Sequence, residues 1–211
     1  MQEVVPEIIE DDEKLLRTTY APMHFSHSGK LRSSCLKPYT KESDEDNPSM
    51  MNNKISVNRL DYSGWRFCIN HGLRYQNDIK HFNGFLKLIA GKVRSIGPEP
   101  KYKPTEDNPY HSNIVYSEIN KPHEDELDEL ESSRLQAIAR ELLESGEYIS
   151  VDTAEQYANK EELEQKRDLR PIATENDGKQ SEVLQNTRIE SIFHIVKIII
   201  QRVKNWISSL F

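Results

Sequence analysis

The feature that most constrains this chain is the pattern of apolar residues between Thr187 and Phe211. At 100° per residue, nearly all of them fall within one arc of roughly 160°, which predicts a helix with one wide apolar side. Thr187 and Glu190 have the spacing of a capping box, which predicts where the helix begins. The residues expected to contact a partner are Ile192, Val196, Ile199, Val203, Trp206 and Leu210. Because a stripe this wide is unfavourable in water, we expect it to dock on another surface.

Three docking surfaces are consistent with this pattern. The first is the protein itself, either the stretch Leu127–Leu143 or a second copy of the chain. The second is a membrane surface, with Trp206 and Phe211 on the apolar side and three basic residues facing the lipid head groups, Lys197, Arg202 and Lys204. The third is an apolar groove on a different protein.

Composition narrows the class of partner. Apolar residues make up 36% of the chain and charged residues 30%, which is on the polar side of ordinary. A net charge of −7 argues against general nucleic-acid binding, which needs clustered Lys and Arg. The amino terminus does not resemble a secretory signal, and no apolar run approaches the ~20 residues that cross a bilayer. We therefore expect a cytoplasmic protein, with attachment to the inner face of the membrane as the second interpretation, and no cofactor.

The chain divides into five segments by composition. An acidic arm or short helix covers residues 1–17, and a small α+β domain covers residues 18–118. An acidic helical segment follows at 119–168, then a linker at 169–186 and the amphipathic helix at 187–211. Within the helical segment, one helix is predicted to end at Gly146 and another to run from Asp152 or Thr153 to about Arg167.

Within the α+β domain, strands are predicted at 18–26, 31–36, 54–60 and 113–116. The stretch 82–93 fits a helix or a strand, and the Pro-rich stretch 97–109 is expected to be irregular. The predicted core consists of Phe25, Leu31, Leu36, Ile55, Val57, Leu60, Trp65, Phe67, Leu86, Ile89, Ile114 and Tyr116.

Arg59 continues the alternation of Ile55 and Val57, so a charged residue falls on the apolar face of a predicted strand. The leading interpretation is an edge position whose charged head reaches water. The alternative is a ligand-binding site for a phosphate or carboxylate, built from His24, Arg59 and His111. That alternative makes the protein an enzyme or a ligand-binding domain, and it requires the three side chains to converge.

No other motif for catalysis, metal binding or phosphate binding stands out. Cys35 and Cys68 are too few for a disulfide framework and are expected to be reduced thiols in the core. The pair His24-x-x-His27 falls at a strand end, and the chain contains neither Cys-x-x-Cys nor His-Glu-x-x-His. We therefore predict no metal site, and no catalytic residue can be identified.

Several short elements of residues 20–118 are arranged as in a group of small bacterial proteins. Gly29 is followed by a Ser-x-x-apolar-x-Pro segment containing Ser33, Leu36 and Pro38, and then by Ser56, Val57 and Arg59. Pro109 and His111 match a later Pro-x-His element. This region resembles small bacterial proteins of uncharacterised function. The resemblance implies no activity, and it does not include residues 187–211.

Overall fold

A computed structural model describes residues 4–38, 53–116 and 129–168. The predicted helix at 187–211, with all six expected partner-contacting residues, lies outside the described residues. The predicted linker at 169–186 lies outside them as well.

The described residues form six strands, four α-helices and a short 3-10 helix. In chain order these are β1 (Lys14–Ala21), the 3-10 helix (Ser33–Leu36), β2 (Lys54–Arg59), α1 (Leu60–Arg74), β3 (His81–Ile89), α2 (Ala90–Ile96), β4 (Glu99–Tyr102), β5 (His111–Val115), α3 (Glu129–Ser145), β6 (Glu147–Ser150) and α4 (Val151–Asp168). The fold is therefore α+β, as the sequence predicts.

All six strands belong to one antiparallel sheet in the order β4-β5-β2-β1-β3-β6. The first of the described strands is central: β1 lies between β2 and β3, and Leu15 and Leu16 are both fully buried. Because successive side chains of a strand point to opposite faces, two adjacent buried leucines indicate a strand covered on both sides. The sheet therefore lies between two layers of helices.

Each face of the sheet has its own apolar core. One core joins the sheet to α2, α3 and the 3-10 helix, through residues such as Leu36, Ile55, Val93 and Leu142. The other joins the sheet to α1 and α4, through residues such as Leu16, Trp65, Phe85, Ile149 and Ala158. Burial of these side chains, worth about 1.5–3 kcal/mol for each large one, is the main force that holds the helices on the sheet.

Three predictions of secondary structure were wrong. Residues 31–36 form an isolated bridge at Leu31 and the 3-10 helix, because the chain there turns over the core and does not pair along the sheet. The stretch 97–109 contains β4, a regular strand that tolerates Pro100 because it lies at the edge of the sheet. The predicted arm or short helix at residues 1–17 does not keep one structure over its whole length, because β1 begins at Lys14.

The helical segment packs with the α+β domain. β6 pairs with β3, and Leu135, Ala139 and Leu142 of α3 lie in the same core as residues of β2 and β5. Residues 129–168 thus contribute a strand and two helices to the fold that they form with residues 4–116.

Most of the predicted core residues are buried. Leu36, Ile55, Val57, Leu60, Trp65, Leu86, Ile114 and Tyr116 are all at least nine-tenths buried. Leu31 and Phe67 are partly buried against the core, whereas Ile89 is 38% exposed. Ile89 ends β3, where the chain turns into α2 and leaves its side chain at the surface.

Candidate functional site

Arg59 is fully buried, so the expectation that its charged head reaches water was wrong. Its Nη2 and Nε atoms donate to the two carboxylate oxygens of Glu13 at 2.6 and 2.8 Å. Further N–H groups donate to the carbonyl oxygens of Pro6 and Ile8. Four of the five N–H donors of the guanidinium are therefore used within the protein.

Two tyrosine rings complete the surroundings of Arg59. The guanidinium carbon lies 4.5 Å from the centroid of the Tyr62 ring and 5.2 Å from that of Tyr102. These distances are typical of cation–π contacts. The carboxylate that Arg59 binds is thus internal, and the arginine fastens the segment before β1 to the end of β2.

His24 lies at the other end of the central strand. Its Nδ1 accepts a hydrogen bond from the backbone N–H of Tyr20 at 3.1 Å, and its side chain is almost completely buried. Burial lowers the pKa of His24 to about 4, and the charges of Arg17 and Lys80 act in the same direction. The imidazole is therefore neutral at pH 7.

The predicted site of His24, Arg59 and His111 does not form. Arg59 is opposite Leu15, five residues from Tyr20, so about 16 Å of strand separates it from the position of His24. His111 is directly opposite Asn58, the neighbour of Arg59, so His111 and Arg59 project from opposite faces of the sheet. The Nδ1–H of His111 donates to the carbonyl oxygen of Lys103 at 2.6 Å.

The two cysteines lie in different cores and are not paired with a base. Cys35 is in the core formed with α3, and Cys68 is in the core formed with α1. Burial raises the pKa of Cys35 to about 11 and that of Cys68 to about 12. The Sγ of Cys68 is 3.1 Å from the hydroxyl of Ser63. Both thiols are therefore protonated at pH 7, the unreactive form of cysteine.

A polar network that was not predicted from the sequence joins the end of α1 to the loop before β5. Asn108 is 1% exposed, and its amide nitrogen donates to Oδ1 of the buried Asn58 at 2.6 Å. The same nitrogen is 3.4 Å from Nε2 of His71. Burial lowers the pKa of His71, although the nearby Asp107 opposes that shift.

The carboxylate of Asp107 accepts two further hydrogen bonds in this network. Tyr75 donates its hydroxyl to Oδ2 at 2.6 Å and Thr105 donates its hydroxyl to Oδ1 at 2.8 Å. The hydrogen bond from Tyr75 lowers the pKa of Asp107, and the same bond raises the pKa of Tyr75. The donors and acceptors satisfy one another, so we assign the network to holding the loop on α1. The turn-forming Asn108-Pro109 in the sequence was the available signal for it.

An open cavity lies beside β4, at the edge of the sheet. It has a volume of about 570 Å³, within the range of ligand and peptide sites. Residues 7–9 form one wall, and β4 with the following residues to Pro104 forms the other. Arg94 lies between the walls and bonds to both, through Asp11 and the carbonyl oxygen of Ile9 on one side and Glu99 on the other.

No three His, Cys, Asp or Glu side chains within residues 4–38, 53–116 and 129–168 are grouped closely enough to hold a metal ion. Nor does any helix in these ranges have both the length and the apolar character to span a membrane. No protein-family model, curated protein or solved structure matches the chain.

Proposed function

We propose that this protein is an interaction or accessory protein that assembles through the apolar side of residues 187–211. The proposal rests on the arc of apolar residues along 187–211, which must be shielded from water by another surface. Of the surfaces that are able to cover it, we favour a second copy of the chain.

The burial of α3 supports an external docking surface. Leu135, Ala139 and Leu142 are buried in the sheet core, and Ile138 and Leu143 pack against it. The apolar side of α3 is therefore already used, and Leu130 in its first turn is left exposed. A helix with its stripe committed to the sheet is a poor second surface for residues 187–211.

Charge supports a second copy over an anionic membrane. Four bases against one acid give residues 187–211 a charge of +3, which leaves −10 on residues 1–186. A body with that charge is repelled by anionic lipid, whereas it attracts the basic segment of another copy. The alternative enzyme or ligand-binding function at His24, Arg59 and His111 has no comparable support, because their side chains do not converge.

Two aspartate substitutions in the full chain test the proposal. Val203→Asp puts a charge on the apolar arc, and Asn205→Asp puts the same charge on the polar arc as a matched control. In sedimentation velocity we expect the parent chain and Asn205→Asp to assemble and Val203→Asp to lose that assembly. If all three proteins sediment alike, the proposal is wrong.

Vesicle flotation separates the membrane alternative. The parent chain is mixed with vesicles of neutral lipid and with vesicles that contain a third phosphatidylserine or similar anionic lipid. We expect it to stay at the bottom of the gradient with both. Flotation that depends on anionic lipid and is abolished by Val203→Asp would assign the helix to a membrane surface instead.

A further inference from the structure

His71 and Asn108 meet where the last turn of α1 contacts the loop between β4 and β5, residues 103–110. Nε2 of the imidazole is 3.4 Å from the amide nitrogen of Asn108, whose side chain is almost completely buried. Because an amide nitrogen is always a donor, this contact is favourable only while Nε2 carries no hydrogen. The protonation of one ring nitrogen therefore decides whether helix and loop attract or repel each other at this point.

The orientation of the Asn108 amide is fixed by its other partners. Its Oδ1 accepts a hydrogen bond from the backbone N–H of Tyr110 at 3.0 Å, so its nitrogen faces the opposite way. That nitrogen donates one hydrogen to Oδ1 of Asn58 at 2.6 Å and has the second left for His71. Turning the amide over would place its nitrogen against the N–H of Tyr110, donor against donor. Asn108 therefore has no acceptor to offer His71.

A protonated imidazole cannot keep this contact by turning. The ring of His71 is stacked on Phe67, with centroids 5.9 Å apart and an interplanar angle of 18°, and it meets the ring of Tyr75 at 5.0 Å. In the imidazolium both ring nitrogens carry a hydrogen, so no rotation of the ring brings an acceptor to Asn108. Protonation therefore replaces a hydrogen bond with two opposed donors, in a place where Asn108 has no access to water.

Burial and the neighbouring charges set the pH at which His71 takes up a proton. Burial lowers its pKa below the ordinary value of 6.5, and Arg74 on α1 and His111 on β5 act in the same direction. Asp107 in the loop opposes them, and the hydroxyl of Tyr75 already donates to that carboxylate. The arrangement with the loop held on α1 is therefore fully favoured above pH 6.5 and loses its advantage as pH falls through the lowered pKa.

We propose that His71 and Asn108 form a pH-sensitive switch, which holds the loop 103–110 on α1 while the imidazole is neutral and releases it when the imidazole gains a proton. On release the buried Asn58 loses the donor that Asn108 supplies and needs water in its place, so the space beneath the loop becomes hydrated. The pairing of β5 with β2 uses residues 111–115, so the sheet itself stays intact.

Hydrogen exchange of the full chain, read by mass spectrometry on peptides that cover residues 105–111, measures the release. Each rate is divided by that of an unfolded chain at the same pH, which removes the intrinsic pH dependence. Between pH 7.5 and pH 5 we expect the protection of these residues to fall at least about tenfold. In His71→Gln, whose amide oxygen accepts from Asn108 but takes up no proton, we expect a much smaller fall. The acid titration of His24 acts on both chains alike, so the difference between them is due to His71.

Two further comparisons isolate the switch. His81→Gln is the matched control for the histidine substitution, because His81 is exposed at the start of β3, and it should keep the full fall. Arg74→Gln removes a positive charge that disfavours the protonated imidazole, so we expect the midpoint of the release to move to higher pH. Arg140→Gln makes the same change on α3, on the other face of the sheet, and should leave the midpoint in place.

The proposal is overturned if the protection of residues 105–111 in the parent chain does not depend on pH, or if it falls equally in His71→Gln. Should His71→Gln be unprotected at both pH values, Arg74→Gln decides the matter. A midpoint that moves to higher pH supports the switch, and a midpoint that stays where it is in the parent chain overturns it.

Discussion

The guanidinium of Arg59 and the carboxylate of Glu13 form a bidentate ion pair in which both side chains are almost completely withdrawn from water. The two nitrogen–oxygen distances are 2.6 and 2.8 Å, and the exposed fractions of the side chains are 0% and 6%. A buried pair of this kind is costly to break on one side, because the remaining charge has no partner and no solvent.

Glu13→Gln is therefore expected to lower the free energy of unfolding by about 3–5 kcal/mol. Urea unfolding followed by circular dichroism measures it. The matched control is Glu164→Gln, which removes an exposed pair with Lys160 at 3.8 Å and is expected to cost less than about 0.5 kcal/mol.

Replacing both partners, by Glu13→Leu with Arg59→Met, is expected to cost less than Glu13→Gln alone, because no buried charge is then left over. Equal losses for the single and double variants would show that the unpaired charge of Arg59 is not the main cost of Glu13→Gln.

The second prediction concerns pH. Because the pKa of His24 is about 4 in the folded protein and 6.5 in the unfolded chain, the unfolded chain binds more protons between these values. Stability from this group is complete above pH 6.5 and is lost as pH falls towards 4. The loss is on the order of 2–3 kcal/mol.

His24→Gln keeps an acceptor for the N–H of Tyr20 but does not titrate. We expect its unfolding free energy to fall less than that of the parent chain between pH 6.5 and pH 4.5. His27→Gln, at an exposed position, serves as the control and should follow the parent chain. A parallel decline in all three proteins would contradict the assignment to His24.

The third prediction concerns Gly84, at the point where β3 passes β6. Its φ of 127° lies in the region that favours glycine, and an added Cβ would be 2.2 Å from the carbonyl oxygen of Ile149. Gly84→Ala is expected to destabilise the protein by more than about 2 kcal/mol.

Gly29→Ala is the comparison, because Gly29 also has a positive φ of 76° but open space around it. It is expected to cost only about 1 kcal/mol, the backbone contribution alone. Thermal unfolding of both variants separates the cost of the positive φ from the cost of the contact with β6. Equal losses of stability would mean that the contact with β6 adds nothing.

The fourth prediction concerns the thiols. Cys35 and Cys68 are 1% and 0% exposed, and burial holds the pKa of both well above neutral. Neither is expected to react with an aromatic disulfide reagent in the folded protein at pH 8, and both should react at once in denaturant. Reaction of one equivalent under native conditions would show that one of the cores opens readily.

Periodic patterns of apolar residues and helix-capping signals in the sequence correctly predicted a strand and two helices. The alternation in 54–60 found β2, and the apolar spacing ended by Gly146 and the capping signals near Asp152 found α3 and α4 to within a few residues. β4 was missed because Pro100 and the prolines on either side of the strand indicate irregular structure. Edge strands accept proline, but the sequence does not show that β4 lies at the edge of the sheet.

The candidate site failed for a different reason. Alternation correctly placed Arg59 on the apolar face, but its partner Glu13 lies 46 residues away and no local pattern links the two. Likewise, nothing in the sequence indicates that His24 and Arg59 stand at opposite ends of β1. Such facts depend on strand order, which is set by the packing of the whole sheet.

The position of β1 between β2 and β3 also governs the order in which the sheet is able to assemble. The first of the described strands has both neighbours in later sequence, with Lys14 paired to Ile89 and Leu15 to Arg59. Such long chain closures are slow steps in folding. During synthesis, both edges of β1, with its two adjacent buried leucines, therefore stay unpaired until the residues of β2 and then β3 have been added to the chain.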